Sequence, residues 1–262
     1  MSAPGEGFVD SLRNLSAAQK SSKGAPLYSV VVNRPLGRFF AAVAYQLGMT
    51  PNQVTIISAI FTYGGIVVIA VAAPSWSIGV IVTVLLVLGY ALDASDGQLA
   101  RLRGGGSLMG EWLDHMIDSG KIVSLHLAVA IMILRYFPVP DGWAIVGIGF
   151  AIFYTVHFFG FLLTDLLGRA NGAPPRTGSF SPIMAALKLP TDYGLLCLVF
   201  VLLGLPIVFL VLYTTLAIAN AGYTILVMGK WAKRLQALDA ANTASSGSTA
   251  ALDASSAESL EV

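Results

Sequence analysis

The sequence is poor in the residues that most small soluble folds depend on. It holds one cysteine, Cys197, set inside an apolar run, which excludes an intramolecular disulfide and a thiolate metal site. Only 11% of its 262 residues are charged, against roughly a quarter in soluble globular domains. The formal net charge is +1, and no cluster of Lys and Arg marks a nucleic-acid-binding face. The N-terminal stretch lacks an apolar core followed by a small-residue cleavage site, so no signal peptide is expected. In place of charge the chain has apolar residues, 56% of the total, and its mean hydropathy is +0.76. This composition predicts an integral membrane protein.

Apolar runs of about twenty residues, the length that crosses a hydrocarbon core, fall near 52–73, 77–101, 108–135, 142–167, 190–211 and 212–232. The last two are divided only by the weak signal Gly204-Leu205-Pro206, so the fifth has room to end sooner. Before the first run, residues 27–47 place Leu27, Val30, Val31, Leu36, Phe39, Phe40, Val43 and Ala44 at near-helical spacing, with Asn33, Arg34, Arg38 and Gln46 between them. That pattern reads as an amphipathic helix lying in the membrane interface. The fold expected is all-α, six transmembrane helices preceded by an N-terminal amphipathic juxtamembrane helix.

Three regions follow from the same patterning: a disordered N-terminal segment (1–26), a membrane domain (27–234) and a disordered C-terminal tail (235–262) rich in Ala, Ser and Thr. Six spans place both termini on one side. Arg13, Lys20, Lys23, Arg34, Arg38, Arg101, Arg103, Arg169, Arg176, Lys188, Lys230, Lys233 and Arg234 all fall on that side, with Arg135 opposite. The positive-inside rule makes it cytoplasmic.

Against this background the stretch LDASDGQLARLRGGGSLMGEWLDHMIDS, residues 92–119, stands apart. It sets four aspartates and Arg101 between two apolar runs. A carboxylate at bilayer depth costs at least about 2.5 kcal/mol even on the mildest insertion scale, so the four together read as a functional site. Asp93 and Asp96 are three residues apart and Asp114 and Asp118 four apart, so each pair shares a helix face. Gly97 and Ala100 extend the first stripe, and Gly110 opens the second. Gly104-Gly105-Gly106 supplies a breaker at which the chain can reverse and bring the faces together. Four facing carboxylates would repel one another unless a cation sat among them. Hard oxygen ligands select Mg²⁺ or Mn²⁺ over zinc, and two such ions can clamp a phosphoryl-type displacement.

Asp93-x-x-Asp96-Gly97-x-x-Ala100-Arg101, then Gly110-x-x-x-Asp114-x-x-x-Asp118, resembles the signature of the CDP-alcohol phosphotransferase family, with all eight positions filled. The resemblance covers roughly Tyr28 to Lys233. It implies a six-helix membrane enzyme that passes a phospho-alcohol from a CDP-alcohol donor to an alcohol acceptor and releases CMP, acting as a homodimer. On that pattern Asp93, Asp96 and Asp114 hold the divalent ions. Asp118 is the general base, a metal ligand, or both. Arg101 pairs with phosphate, and Gly97, Ala100 and Gly110 let the nucleotide approach the backbone. Thr50 and Pro51 are explained as an N-cap and first helical residue. Asn52 and Thr55 are not, and the Pro-Asn-x-x-Thr run resembles one that lies near the nucleotide in this family.

The remaining polar residues have weaker assignments. Lys121, three residues after Asp118, either serves the site, with Asp165, Arg169 and Arg176 in an acceptor pocket, or snorkels to the interface. Glu111 either joins the site or interacts with its helix dipole. His115 points about 100° away from Asp114 and reads as packing, while His126 and His157 read as partners for neighbouring helices. Thr164-Asp165-Leu166-Leu167 has no cation at its last position, unlike the Ser-x-x-Lys/Arg typical of relatives that use inositol phosphate. The donor is CDP-diacylglycerol or, as the Tyr28-Ser29-x-x-x-Asn33-Arg34 run suggests, a soluble CDP-polyol with a polyol-phosphate acceptor. A cation transporter is the non-enzymatic alternative, opposed by Arg101 beside the acids.

Overall fold

Pro35 has no N–H to give to the carbonyl one turn back, and its ring crowds that carbonyl. The chain meets this with a single wide turn, Ser29–Asn33, whose last hydrogen bond runs from the Arg34 N–H to Ser29 O. Helix α1, Arg34–Gln46, follows directly. Its small residues Gly37, Ala41 and Ala42 are buried while Leu36, Phe39 and, just before the helix, Val31 are exposed. The expected amphipathic juxtamembrane helix therefore forms, with its apolar side outward and its small side inward. The computed structural model describes Leu12, Leu15 and residues 26–174 and 188–258, with side chains, Pro190 excepted, as far as Thr243.

Helix α2, Pro51–Val71, starts on a capping box. Thr50 Oγ1 accepts from the Gln53 N–H at 3.3 Å, and Gln53 Oε1 accepts from the Thr50 N–H at 2.8 Å. Helix α3, Trp76–Leu102, and helix α4, Leu108–Tyr136, are capped by Ser75 and Ser107. Between α3 and α4 the chain turns at Gly104 and Gly105, whose φ angles of 95° and 136° lie where side chains are strained. The Gly105 N–H closes the turn on Ala100 O at 2.9 Å. Helix α5, Ile145–Ala170, is led in by a short 3₁₀ turn, Asp141–Ala144.

The fifth predicted span differs from expectation. Helix α6 is seven residues, Tyr193–Val199, continued by five residues of 3₁₀ helix, Phe200–Gly204. It ends at Leu205, and α7, Pro206–Glu258, begins at once. Proline disfavours helical geometry in the residue before it and is well suited to the first position of a new helix. A signal that looked weak in the sequence thus ends the fifth helix before 211 and starts the sixth before 212. Five helices are long and apolar enough to cross a membrane, and Tyr193–Gly204 is a shorter apolar helix. No strand occurs among the described residues. The chain is an all-α membrane protein.

α3 packs along α2 and α1, α4 lies against α2 and α5, and α5 lies against α7. The main core gathers Ile69, Leu86, Leu125, Met132, Phe150 and Tyr213. A second, smaller core holds Leu15, Ala41, Ala42, Val54 and Leu99 together near the C-terminal end of α3. It fixes α1 and the start of α2 beside the α3–α4 turn, the end of the bundle that carries the aspartates.

Candidate active site

The glycine turn does what its composition predicts. It folds α4 back so that Asp93 on α3 and Asp118 on α4 approach one cation, the ammonium of Lys121. Lys121 Nζ lies 2.9 Å from Asp93 Oδ1 and 2.5 Å from Asp118 Oδ1. The lysine is 5% exposed, so it does not snorkel away, and its partners are carboxylates of the site itself. The Tyr193 ring lies 5.8 Å from Nζ, within the range of a cation–π contact.

Asp96, one turn after Asp93 on α3, is held by α2. Thr55 Oγ1 lies 2.5 Å from Asp96 Oδ2 and 3.0 Å from Pro51 O. A hydroxyl has one hydrogen, and the shorter contact, to a carboxylate, is the stronger of the two. Thr55, expected near the nucleotide, thus has a defined task in orienting Asp96.

On α4 the oxygens of Asp114 and Asp118 and a ring nitrogen of His115 fall within 4.8 Å of one another. His115 Nδ1 is 3.8 Å from Asp114 Oδ2 and Nε2 is 3.8 Å from Glu111 Oε1. The imidazole is therefore closer to the acids than its helical angle implies. A rotamer can swing a ring back toward its neighbour, which the angle between Cβ directions does not capture.

The flank of α3 beside these acids is open. A Cβ built on Gly97 would meet only Arg101 Nη1, at 3.6 Å. Arg101 folds back along its own helix toward Gly97, and its Nε is buried with no hydrogen-bond partner among the described residues. Ala100 lies one residue before it on the same helix. A Cβ on Gly110 would stand 3.1 Å from Asn52 Oδ1, so Gly110 lets the start of α2 close on the start of α4. Asn52 and Gly110, named separately from the sequence, are neighbours.

Two of the residues expected in an acceptor pocket, Asp165 and Arg169, meet at the rim of the site. Arg169 Nη2 bonds Glu111 Oε1 at 2.7 Å, and Arg169 Nε lies 3.2 Å from Asp165 Oδ2. Asp165, Arg169 and Glu111 form one ion cluster tying α5 to α4 at the rim. Glu111 is thus paired with an arginine from the neighbouring helix. Thr164 returns its hydroxyl to Gly160 O at 2.6 Å. Arg176 lies outside the described residues. His126 and His157 meet neighbouring helices as expected, through Tyr213 OH at 2.7 Å and Thr224 Oγ1 at 3.2 Å.

Sequence reasoning passed over an aromatic wall. Tyr28 stacks on Tyr90 at 6.1 Å between centroids, and Tyr90 meets Tyr193 edge to face at 5.1 Å. Asp192, 2% exposed, anchors the wall by accepting from the backbone N–H of Tyr28 and of Gly194. The available signal was Tyr90, one turn before Asp93 on the same face.

The donor set is oxygen-rich and suits a hard divalent ion. Its carboxylates come from two helices, with Lys121 the one ammonium among them in the described residues. The same residues agree with what comparison with known proteins finds. Residues 48–228, well over half of the chain, match CDP-alcohol phosphatidyltransferase. An archaetidylinositol phosphate synthase of Pyrococcus horikoshii is 34% identical over 102 residues, covering 38% of this chain and 50% of that protein. The chain thus matches about half the length of this curated relative. The aspartate signature, the helices that carry it and the extent of the match together place the chain in the CDP-alcohol phosphatidyltransferase family.

Proposed function

We propose that this protein transfers a phosphatidyl-type group from a CDP-alcohol, CDP-diacylglycerol being the first choice, to the hydroxyl of a second alcohol and releases CMP. The observation that carries this reading is the convergence of Asp93, Asp96, Asp114 and Asp118 beside Arg101 at one end of the bundle. Asp93, Asp96, Asp114 and Asp118 would hold Mg²⁺ or Mn²⁺, two ions by the family pattern. Bound metal would offset the negative charge on the pyrophosphate.

The chain's own residues account for the rest. Arg101 has a buried N–H to spare and a planar fork suited to phosphate oxygens. Gly97 and Ala100 leave the flank of α3 bare, so a nucleotide can lie against the helix. Asn52, at the start of α2 beside Gly110, reaches the same edge. Thr55 keeps the Asp96 carboxylate turned into the site. Asp118 takes the proton from the acceptor hydroxyl, whose oxygen attacks the β-phosphorus as the bond to CMP breaks. Asp165 and Arg169 stand at the rim where an acceptor headgroup would enter.

The acceptor is drawn from two directions. The Pyrococcus relative is named for archaetidylinositol phosphate, which favours an inositol phosphate. Leu167 stands where relatives of that kind carry a cation, which opposes it. The protein is read as a homodimer in the cell membrane, multi-pass, with the site and both termini cytoplasmic, where CDP-alcohols are available.

The test is CMP release by purified protein in lipid, over a panel of CDP-alcohol donors and alcohol acceptors, with Mg²⁺, Mn²⁺ or chelator. CMP is expected from CDP-diacylglycerol with a polar alcohol, and none in chelator. Release only from a soluble CDP-polyol would move the assignment to that donor. Release from no donor, with metal flux into vesicles, would support the transporter.

A further inference from the structure

Lys121 is poorly explained as a simple structural residue. A lysine near a membrane face has a flexible four-carbon stem and can carry its ammonium to water. This one keeps it inside, 5% exposed, on Asp93 of α3 and Asp118 of α4. Buried charge at this depth persists where it is paired, and here the partners are two of the carboxylates that would hold metal. Tyr193 forms the floor beneath the ammonium, and its ring is fixed by Tyr90.

One cation can use those oxygens at a time. A divalent ion on Asp93 and Asp118 would stand in contact with the ammonium, like charge against like charge, in a site with little water to screen it. The ammonium and the ion therefore compete for Asp93 Oδ1 and Asp118 Oδ1. Resting on the metal-dependent reading above, we propose that Lys121 is a tethered counter-ion: it holds the α3 and α4 carboxylates together before metal arrives, and is exchanged for the metal on loading. The freed ammonium, still on its stem beside the site, then turns to the phosphate oxygens of the incoming substrate.

This exchange has a thermodynamic signature. Metal alone must displace Lys121 and leave it without an anion, so it binds weakly. With a pyrophosphate present the displaced ammonium has a new partner, and each ligand tightens the other by the same factor. The aspartate signature contains no such device, since it names the ligands and not what stands among them beforehand.

The experiment uses the full-length protein in lipid nanodiscs, with Mn²⁺ as the metal and CDP as the pyrophosphate. Free Mn²⁺ is followed by electron paramagnetic resonance in the wild type and in Lys121→Met. If the metal-competent state is about a tenth or less of the wild-type population, the variant should bind Mn²⁺ alone roughly ten-fold more tightly. It should also gain much less from CDP. In parallel, the wild-type Lys121 amine is labelled by reductive methylation and quantified by peptide mass spectrometry. Labelling should be slow in chelator and several-fold faster with Mn²⁺.

Equal or weaker Mn²⁺ binding by Lys121→Met would overturn the exchange while leaving the metal site intact. Tighter binding by the variant with unchanged wild-type labelling would reduce Lys121 to a fixed repulsive charge and also overturn it. If Lys121→Met does not fold, the wild-type labelling decides alone. No Mn²⁺ binding by the wild type, with or without CDP, would remove the metal reading and the exchange together.

Discussion

The backbone N–H of Tyr28 donates to Asp192 Oδ2 at 2.9 Å, joining residues 164 positions apart. The bond seats the start of the juxtamembrane segment on the start of α6. Gly194 makes the contact possible, since a Cβ there would stand 1.9 Å from Tyr28 Cδ1. From Tyr28 the contacts run through Tyr90 and Tyr193 to Lys121, so the N-terminal helix and the aspartates are parts of one packed unit.

Breaking this latch should therefore loosen more than the N-terminus. Asp192→Ala removes both the long-range bond and the cap on Gly194, and a hydrogen bond to a charged group contributes about 1.5–3 kcal/mol. Thermal unfolding in detergent should show a clear drop in Tm for Asp192→Ala and for Gly194→Ala. A Tm equal to wild type in both would mean that the latch contributes nothing to stability.

Thr55 offers a test of positioning. Thr55→Val keeps the shape and loses the hydroxyl that faces Asp96, whereas Thr55→Ser keeps the hydroxyl. The lost charge-assisted bond corresponds to roughly 10- to 100-fold in turnover. CMP release should fall by that order in Thr55→Val and recover largely in Thr55→Ser. Full activity in Thr55→Val with loss in Thr55→Ser would assign the effect to packing of the methyl group instead.

Asp118 and Asp114 lie one turn apart and should fail differently. If Asp118 serves as base before ligand, Asp118→Asn leaves CDP-alcohol binding within a few-fold and cuts turnover by about 10²–10⁴, the usual cost of losing a general base. Asp114→Asn should weaken metal-dependent binding itself. Calorimetric titration of CDP-alcohol into each variant with Mg²⁺ separates the two, and matching losses of binding would make Asp118 a ligand first.

Orientation can be read from proteolysis of intact cells. A tag after Val262 should be protected from external protease, and a cleavable site placed between Ala73 and Pro74 should be cut. That position lies between α2 and α3 and spares Ser75, whose hydroxyl caps the Ile78 N–H. The opposite pattern would put the aspartates on the face away from cytoplasmic CDP-alcohols.

Local rules were legible in the chain before any fold was known. Thr50-Pro51 specify a helix start from two consecutive residues, and Gly104-Gly105 specify a turn through backbone freedom alone. The aspartate stripes follow from helical periodicity, because Asp93 with Asp96 and Asp114 with Asp118 need no tertiary information to share a face. The end of the fifth helix at Leu205-Pro206 was legible in part, as the weak signal that gave that span room to end sooner, because a proline's geometry is as local as a glycine's.

What only the tertiary structure decided are relationships between distant parts of the chain. Lys121 could have reached water, and spacing alone cannot say that Asp93, 28 residues earlier, claims its ammonium. Nor does spacing say that Arg169 on α5 meets Glu111 on α4, 58 residues away. Asp192 gains its partner only where the fold brings Tyr28 to it, 164 positions away. A charged side chain has several partners within its reach, and the sequence by itself determines which helix face carries it. Helix packing then selects the partner, because inside a membrane protein an unpaired charge is too costly to leave and only one geometry brings its counter-charge close.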